Sequence, residues 1–157
     1  MTQEFNNLPD GINPETLKRL LNDREALIET TRKSFFWFFY IYFGQYSKLP
    51  YAPFHKDMIK IAQDDSIKRA IVMAFRGSAK STILDTAFAL WCIMGVHQKK
   101  HVVIASQTQL RVKDNLMNIR KELEKKDNLM AENMGPYQES EDRWHSTTLI
   151  IPKYGFP

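Results

Sequence analysis

Residues 69–82, Arg-Ala-Ile-Val-Met-Ala-Phe-Arg-Gly-Ser-Ala-Lys-Ser-Thr, constrain the fold of this chain more than any other part of it. Residues 69–74 form a short apolar run with β-branched members, which fits a strand buried on both faces and is too short for a helix. A tight loop follows at once, and residues 82–94 are then nearly apolar throughout. That pattern predicts a helix sandwiched between a sheet and another element, ended by Gly95. Residues 102–106, Val-Val-Ile-Ala-Ser, have the continuous β-branched look of a second strand. The spacing is that of a βαβ crossover, so the two strands are expected to be parallel and connected right-handedly.

Between the first strand and its helix, Arg76-Gly77-Ser78-Ala79-Lys80-Ser81 resembles a phosphate-binding P-loop, G-x-x-x-x-G-K-[S/T]. In such a loop, backbone N–H groups wrap a phosphate at a helix N-terminus. Both motif glycines are alanine here, Ala74 and Ala79, while Gly77, Lys80 and Ser81 keep the chemistry. Gly77 gives a flexible turn, Lys80 an ammonium for the β- and γ-phosphates, and Ser81 a hydroxyl for Mg2+. A Cβ at residue 79 fits a backbone that avoids positive φ, so Ala79 is expected in the right-handed region. The plainer alternative is a strand-to-helix turn with a capping serine. A preceding strand, a following helix and a second strand one crossover later are the context that favours the nucleotide reading.

The chain has 157 residues, 43% of them hydrophobic, enough for one small domain with a core. Its net charge of +4 is compatible with a nucleic-acid partner but equally with an ordinary solvated surface. A single cysteine, Cys92, excludes an internal disulfide framework, fits a reducing compartment, and reads as a packing residue. The first residues lack a signal-peptide pattern, which points to a cytosolic protein.

Asn13-Pro14-Glu15 is a helix start. From there Leu17, Leu20, Leu21, Leu27, Ile28, Thr31, Phe35, Phe38, Phe39 and Tyr42 recur at three- and four-residue steps, with Gly44 as a stop and a break expected near Asn22-Asp23 or Thr30-Thr31. The aromatic run Phe35–Phe43 is far shorter than the ~20 residues a membrane-spanning helix needs. It is expected to pack on the core or to present a face to a protein partner. Residues 55–62 read as a helix preceded by the proline-punctuated segment 49–54, and Phe54 with His55 could seat a purine base by stacking and edge contacts. Residues 110–130 read as an amphipathic helix buried through Val112, Leu116, Ile119 and Leu123, and residues 143–151 as a further strand. Ser106 or Thr108 is expected to cap.

Taken together, residues 52–58 (Ala-Pro-Phe-His-Lys-Asp-Met), residues 75–82 and residues 102–107 resemble the N-terminal ATPase region of tailed-phage terminase large subunits, the motors of viral DNA packaging. The resemblance covers about residues 50–151. It implies an α/β P-loop NTPase fold of RecA-like type, here a partial parallel sheet with flanking helices. The expected division is an N-terminal helical segment at 1–48 and an incomplete ATPase domain at 49–157. It also implies ATP and Mg2+ as cofactors, the bacterial host cytosol as location, and double-stranded DNA, the portal protein and the small terminase subunit as partners. By that likeness Gly77, Ser78, Ala79, Lys80, Ser81 and Thr82 hold phosphates, Ser81 also faces Mg2+, Arg76 contacts the γ-phosphate in cis, and Phe54 with His55 seats adenine. His55 stands where related motors commonly carry glutamine.

The family's Walker B acids and nuclease acids find no match in these residues, so an N-terminal fragment is expected, with hydrolysis awaiting the remainder. An unpaired apolar sheet edge would also favour self-association. The alternatives are a non-catalytic interaction module that docks a partner through residues 35–43, and the N-terminal part of another P-loop or helicase-like ATPase.

Overall fold

The computed structural model describes residues 13–46, 51–125, 128–135, 137 and 147–151. The expectations for residues 1–12, for the 139–142 loop and for the 143–146 half of the third strand lie outside these.

The start of the chain folds as three consecutive helices: α1 (Pro14–Asn22), α2 (Arg24–Lys33) and α3 (Phe35–Phe43). Each starts at a side-chain cap. Asn13 accepts from the Glu15 N–H, Asp23 from Ala26, and Ser34 from Trp37. The break at Asp23 falls where the sequence places it; the second is at Ser34 instead of Thr30-Thr31. A serine with extended φ and ψ ends one helix and caps the next, whereas Thr31 keeps its hydroxyl inside α2 by donating to the Leu27 carbonyl at 2.8 Å.

After a 3-10 turn at Gly44–Tyr46, the chain forms α4 (Pro53–Gln63), a π-helical stretch at Thr82–Phe88 continuing directly into α5 (Ala89–Met94), α6 (Gln109–Glu124) and α7 (Leu129–Met134). The expected single helix over 110–130 is thus two, because Lys125 turns extended and Asn128 caps anew. Thr108 caps α6, as anticipated.

The sheet is the main correction. Among the described residues there is no strand, and the RecA-like parallel sheet does not form. Residues 69–75 and 101–106 have no regular secondary structure, and no backbone ladder joins them. Ile71 is 92% exposed, Met73 91% and Val103 88%, so the side chains expected to be buried on both faces have one face in water. Only the alternate residues Val72 and Ile104 pack on the core. β-branched runs favour an extended backbone, but a strand exists only when a neighbour supplies its hydrogen bonds.

The core is helical and built around α3. Phe35, Phe38, Ile41 and Phe43 are completely buried, and the rings of Phe35 and Trp91 lie 5.4 Å apart. α3 packs against α2, α4 and the π-helical stretch, so the hydrophobic core is continuous across the expected boundary at residue 48. No helix of the described residues is long and apolar enough to cross a membrane.

Candidate functional site

The loop that follows residue 75 is a tight turn feeding a helix. The Ser78 N–H donates to the Phe75 carbonyl at 3.3 Å, closing a four-residue turn whose third member, Gly77, has φ +85°. That value is the one a type II turn demands, and it is why a glycine stands there. Ser78 is buried, and its hydroxyl has no partner among the described residues.

Ala79 departs from expectation. Its φ is +56°, in the left-handed region, not the right-handed one. Local sterics oppose this by about 1 kcal/mol for a residue with a Cβ, so the surroundings must hold it there. The Ala79 carbonyl accepts from the Ile83 N–H at 2.9 Å, and the chain is helical from Lys80 through Met94. Gly77 and Ala79 have positive φ while Ser78 between them does not. Alternating backbone hand is the kind of conformation found in anion-binding nests, although the Ser78 N–H here is taken by the Phe75 carbonyl. The first N–H groups of the following helix are unsatisfied by the helix itself and carry the positive end of its dipole.

Two cations stand at this turn. Lys80 is half-buried at the helix start and Arg76 is exposed at the turn. Among the described residues neither side chain has a hydrogen-bond or ion-pair partner. Ser81 is exposed and Thr82 half-buried in the first turn. The structure therefore brings Arg76, Gly77, Ser78, Ala79, Lys80, Ser81 and Thr82 together as one loop and helix start. Asp85, half-buried one turn on, is the nearest acid along the helix. Among the described residues no group of three His, Cys, Asp or Glu side chains could hold a metal ion. A cation at this place would need the Ser81 hydroxyl together with oxygens of a bound phosphate.

The helix α4 meets the loop through its first turn. His55 sits at its third position, where its backbone N–H donates to the Ala52 carbonyl and its Nδ1 accepts from the Ala52 N–H at 3.2 Å. Because Nδ1 is the acceptor, the ring proton is on Nε2, which lies 3.1 Å from the Ser78 carbonyl oxygen and donates to it. Both imidazole nitrogens are thereby committed to backbone, and no edge is left for a base. Phe54 packs on His55 with ring centroids 4.1 Å apart and meets the Phe75 ring edge-on at 5.4 Å. Phe75 is 66% exposed beside the turn and was not singled out from the sequence. Its position directly before Arg76 was the available signal.

A separate apolar cavity of about 450 Å3 lies between α5, residues 100–104, α6 and residues 147–151, with Leu90, Ile93, Ile104, Leu116 and Ile119 in its walls. None of the loop residues lines it. Cys92, partly buried near the end of α5, has its thiol pushed up to about 11 by burial, with Lys99 opposing, so it packs as a thiol.

Compared with models of protein families, with curated proteins and with solved structures, the chain matches none.

Proposed function

We propose that residues 76–82 bind the phosphates of a nucleoside triphosphate, ATP with Mg2+. The observation that carries the reading is the alternation of positive φ at Gly77 and Ala79 immediately before a helix that begins with Lys80. The first N–H groups of that helix have no partner within the helix, and the ammonium and guanidinium beside them lack partners among the described residues. A polyphosphate fits each of these features: an anion for the nest and helix start, added charge for Lys80 and Arg76, and an oxygen-rich complement for Mg2+ at Ser81. Binding is the activity assigned to these residues, and hydrolysis is not.

The motif resemblance supports a DNA-packaging motor as the setting, with double-stranded DNA, a portal and a small terminase subunit as partners, and the host cytosol as location. The interaction-module alternative has less support, since the aromatic segment Phe35–Phe43 forms the core, with only Phe36 and Trp37 half-buried.

Titration of the purified chain with a fluorescent ATP analogue, with and without Mg2+, tests the reading. Binding is expected to depend on Mg2+ and to weaken at least tenfold in Lys80→Ala, which removes a charge-assisted contact worth about 1.5–3 kcal/mol. A folded sample that binds no nucleotide at millimolar concentration, or binds it equally well without Lys80, refutes it.

A further inference from the structure

The Ser78 carbonyl is held from another element, by His55 of α4. The peptide unit joining Ser78 to Ala79 is planar and trans, so its C=O and N–H point in opposite directions. Fixing the Ser78 carbonyl against His55 therefore turns the Ala79 N–H away from α4. The same peptide leads into the positive φ of Ala79, a conformation that persists only where neighbours over-determine it.

The imidazole is itself immobilised. Its Nδ1 is tied to the Ala52 N–H, and its ring is flanked by Phe54 at 4.1 Å and by Tyr51 at 6.3 Å, nearly perpendicular. Met58 and Ile59, one turn on, anchor α4 in the core. The rigid path runs from the core through α4 and the imidazole to the loop peptide.

Resting on the nucleotide-binding reading above, we propose that His55 is a positioning residue for the phosphate loop: its Nε2–H holds the Ser78 carbonyl so that the Ala79 N–H is presented to bound phosphate. This replaces the expectation that His55 reads adenine. The consequence concerns the substrate class. His55 supports the polyphosphate and is indifferent to the base, so its contribution is the same for ATP, GTP and inorganic tripolyphosphate.

The test compares those three ligands on the wild-type chain, His55→Leu, His55→Gln and Lys80→Ala, each checked for native helicity by circular dichroism. Removing the donor in His55→Leu is expected to weaken all three ligands by a common factor of about tenfold. His55→Gln, which keeps a donor and an acceptor, is expected to recover most of that loss. Loss for ATP with tripolyphosphate unchanged would mean a base contact and overturn the proposal. So would a folded His55→Leu chain that binds like wild type while Lys80→Ala does not, an outcome that spares the nucleotide reading. A wild-type chain that binds none of the ligands removes both. Should His55→Leu fail to fold, long-range imidazole 15N–1H spectra of the wild-type chain decide: the Nε2–H tautomer is expected, and an Nδ1–H tautomer overturns it.

Discussion

Ala79 shows most directly how the loop differs from what its composition favours. Its φ of +56° suits glycine, the residue that the phosphate-loop pattern places there. Ala79→Gly is expected to stabilise the chain by about 0.5 kcal/mol, because relief of the left-handed strain outweighs the added freedom of the unfolded chain. Urea denaturation measures it, and a destabilised variant would show that the alanine is unstrained. That Arg76, Gly77, Lys80 and Ser81 share one turn and helix start was legible because they are close neighbours in the sequence, and the structure keeps them so. The conformation of Ala79 was not legible. Local sterics argued for the right-handed region, and a contact 23 residues away, from His55 to the Ser78 carbonyl, belongs to tertiary structure. The same holds for His55, whose nitrogens looked free to read a base until their backbone partners were placed.

At the scale of elements, helices were legible and strands were not, for a physical reason. A helix carries its hydrogen bonds and caps within its own segment, so the boundaries expected at Asn13, Asp23 and Thr108 recur in the structure, whereas the caps at Ser34 and Asn128 divide helices where no boundary was expected. A strand's hydrogen bonds lie in another segment, and the apolar runs at 69–74 and 102–106 state only a preference for extended backbone. The end of α5 offers a test of an element boundary. Gly95 has ordinary negative φ, but a Cβ there would lie 2.6 Å from the Trp91 carbonyl oxygen, 2.9 Å from Trp91 Nε1 and 3.1 Å from the Arg32 carbonyl oxygen. Two of these atoms are backbone, and the indole N–H is donating to the Thr31 carbonyl at 3.1 Å. Gly95→Ala is therefore expected to cost about 2 kcal/mol or more through overpacking and loss of that buried bond. A thermal midpoint unchanged from wild type would show that α5 moves freely against α2.

The whole molecule is tied together by buried polar contacts as well as by aromatic packing, and these set its response to alkali. The Asn133 amide donates to the Tyr42 hydroxyl at 3.2 Å; that hydroxyl in turn meets Thr31 Oγ1, which donates to the Leu27 carbonyl, so one chain of bonds joins α7, α3 and α2. At another corner the buried carboxylate of Glu122 receives the Tyr46 hydroxyl, the Gln45 amide and the Lys125 ammonium, joining the end of α3 to α6. Burial raises the Tyr42 phenol above its ordinary value of 10.0, against the lowering effect of the Thr31 and Asn133 hydrogen bonds. Tyr40 is raised by burial, and Tyr46 by burial and then by Glu122. Burial lowers Lys125, but the Glu122 and Tyr46 hydrogen bonds outweigh it and leave that group raised too. Each is higher in the folded chain than in the unfolded one, so each contributes stability that is complete below the ordinary value and lost as pH rises through the raised one. Stability is thus expected to fall from about pH 10 upward. Thermal melts between pH 8 and 11, read beside phenolate absorbance, measure this. The raised tyrosines are expected to ionise together with the loss of helix. Tyr42→Phe should lower stability at pH 8, since Thr31 and Asn133 lose a buried partner, yet weaken the alkaline decline. Ionisation of every tyrosine near pH 10 with the helices intact would mean that the core admits water at Tyr42 and that the described burial is not maintained in solution.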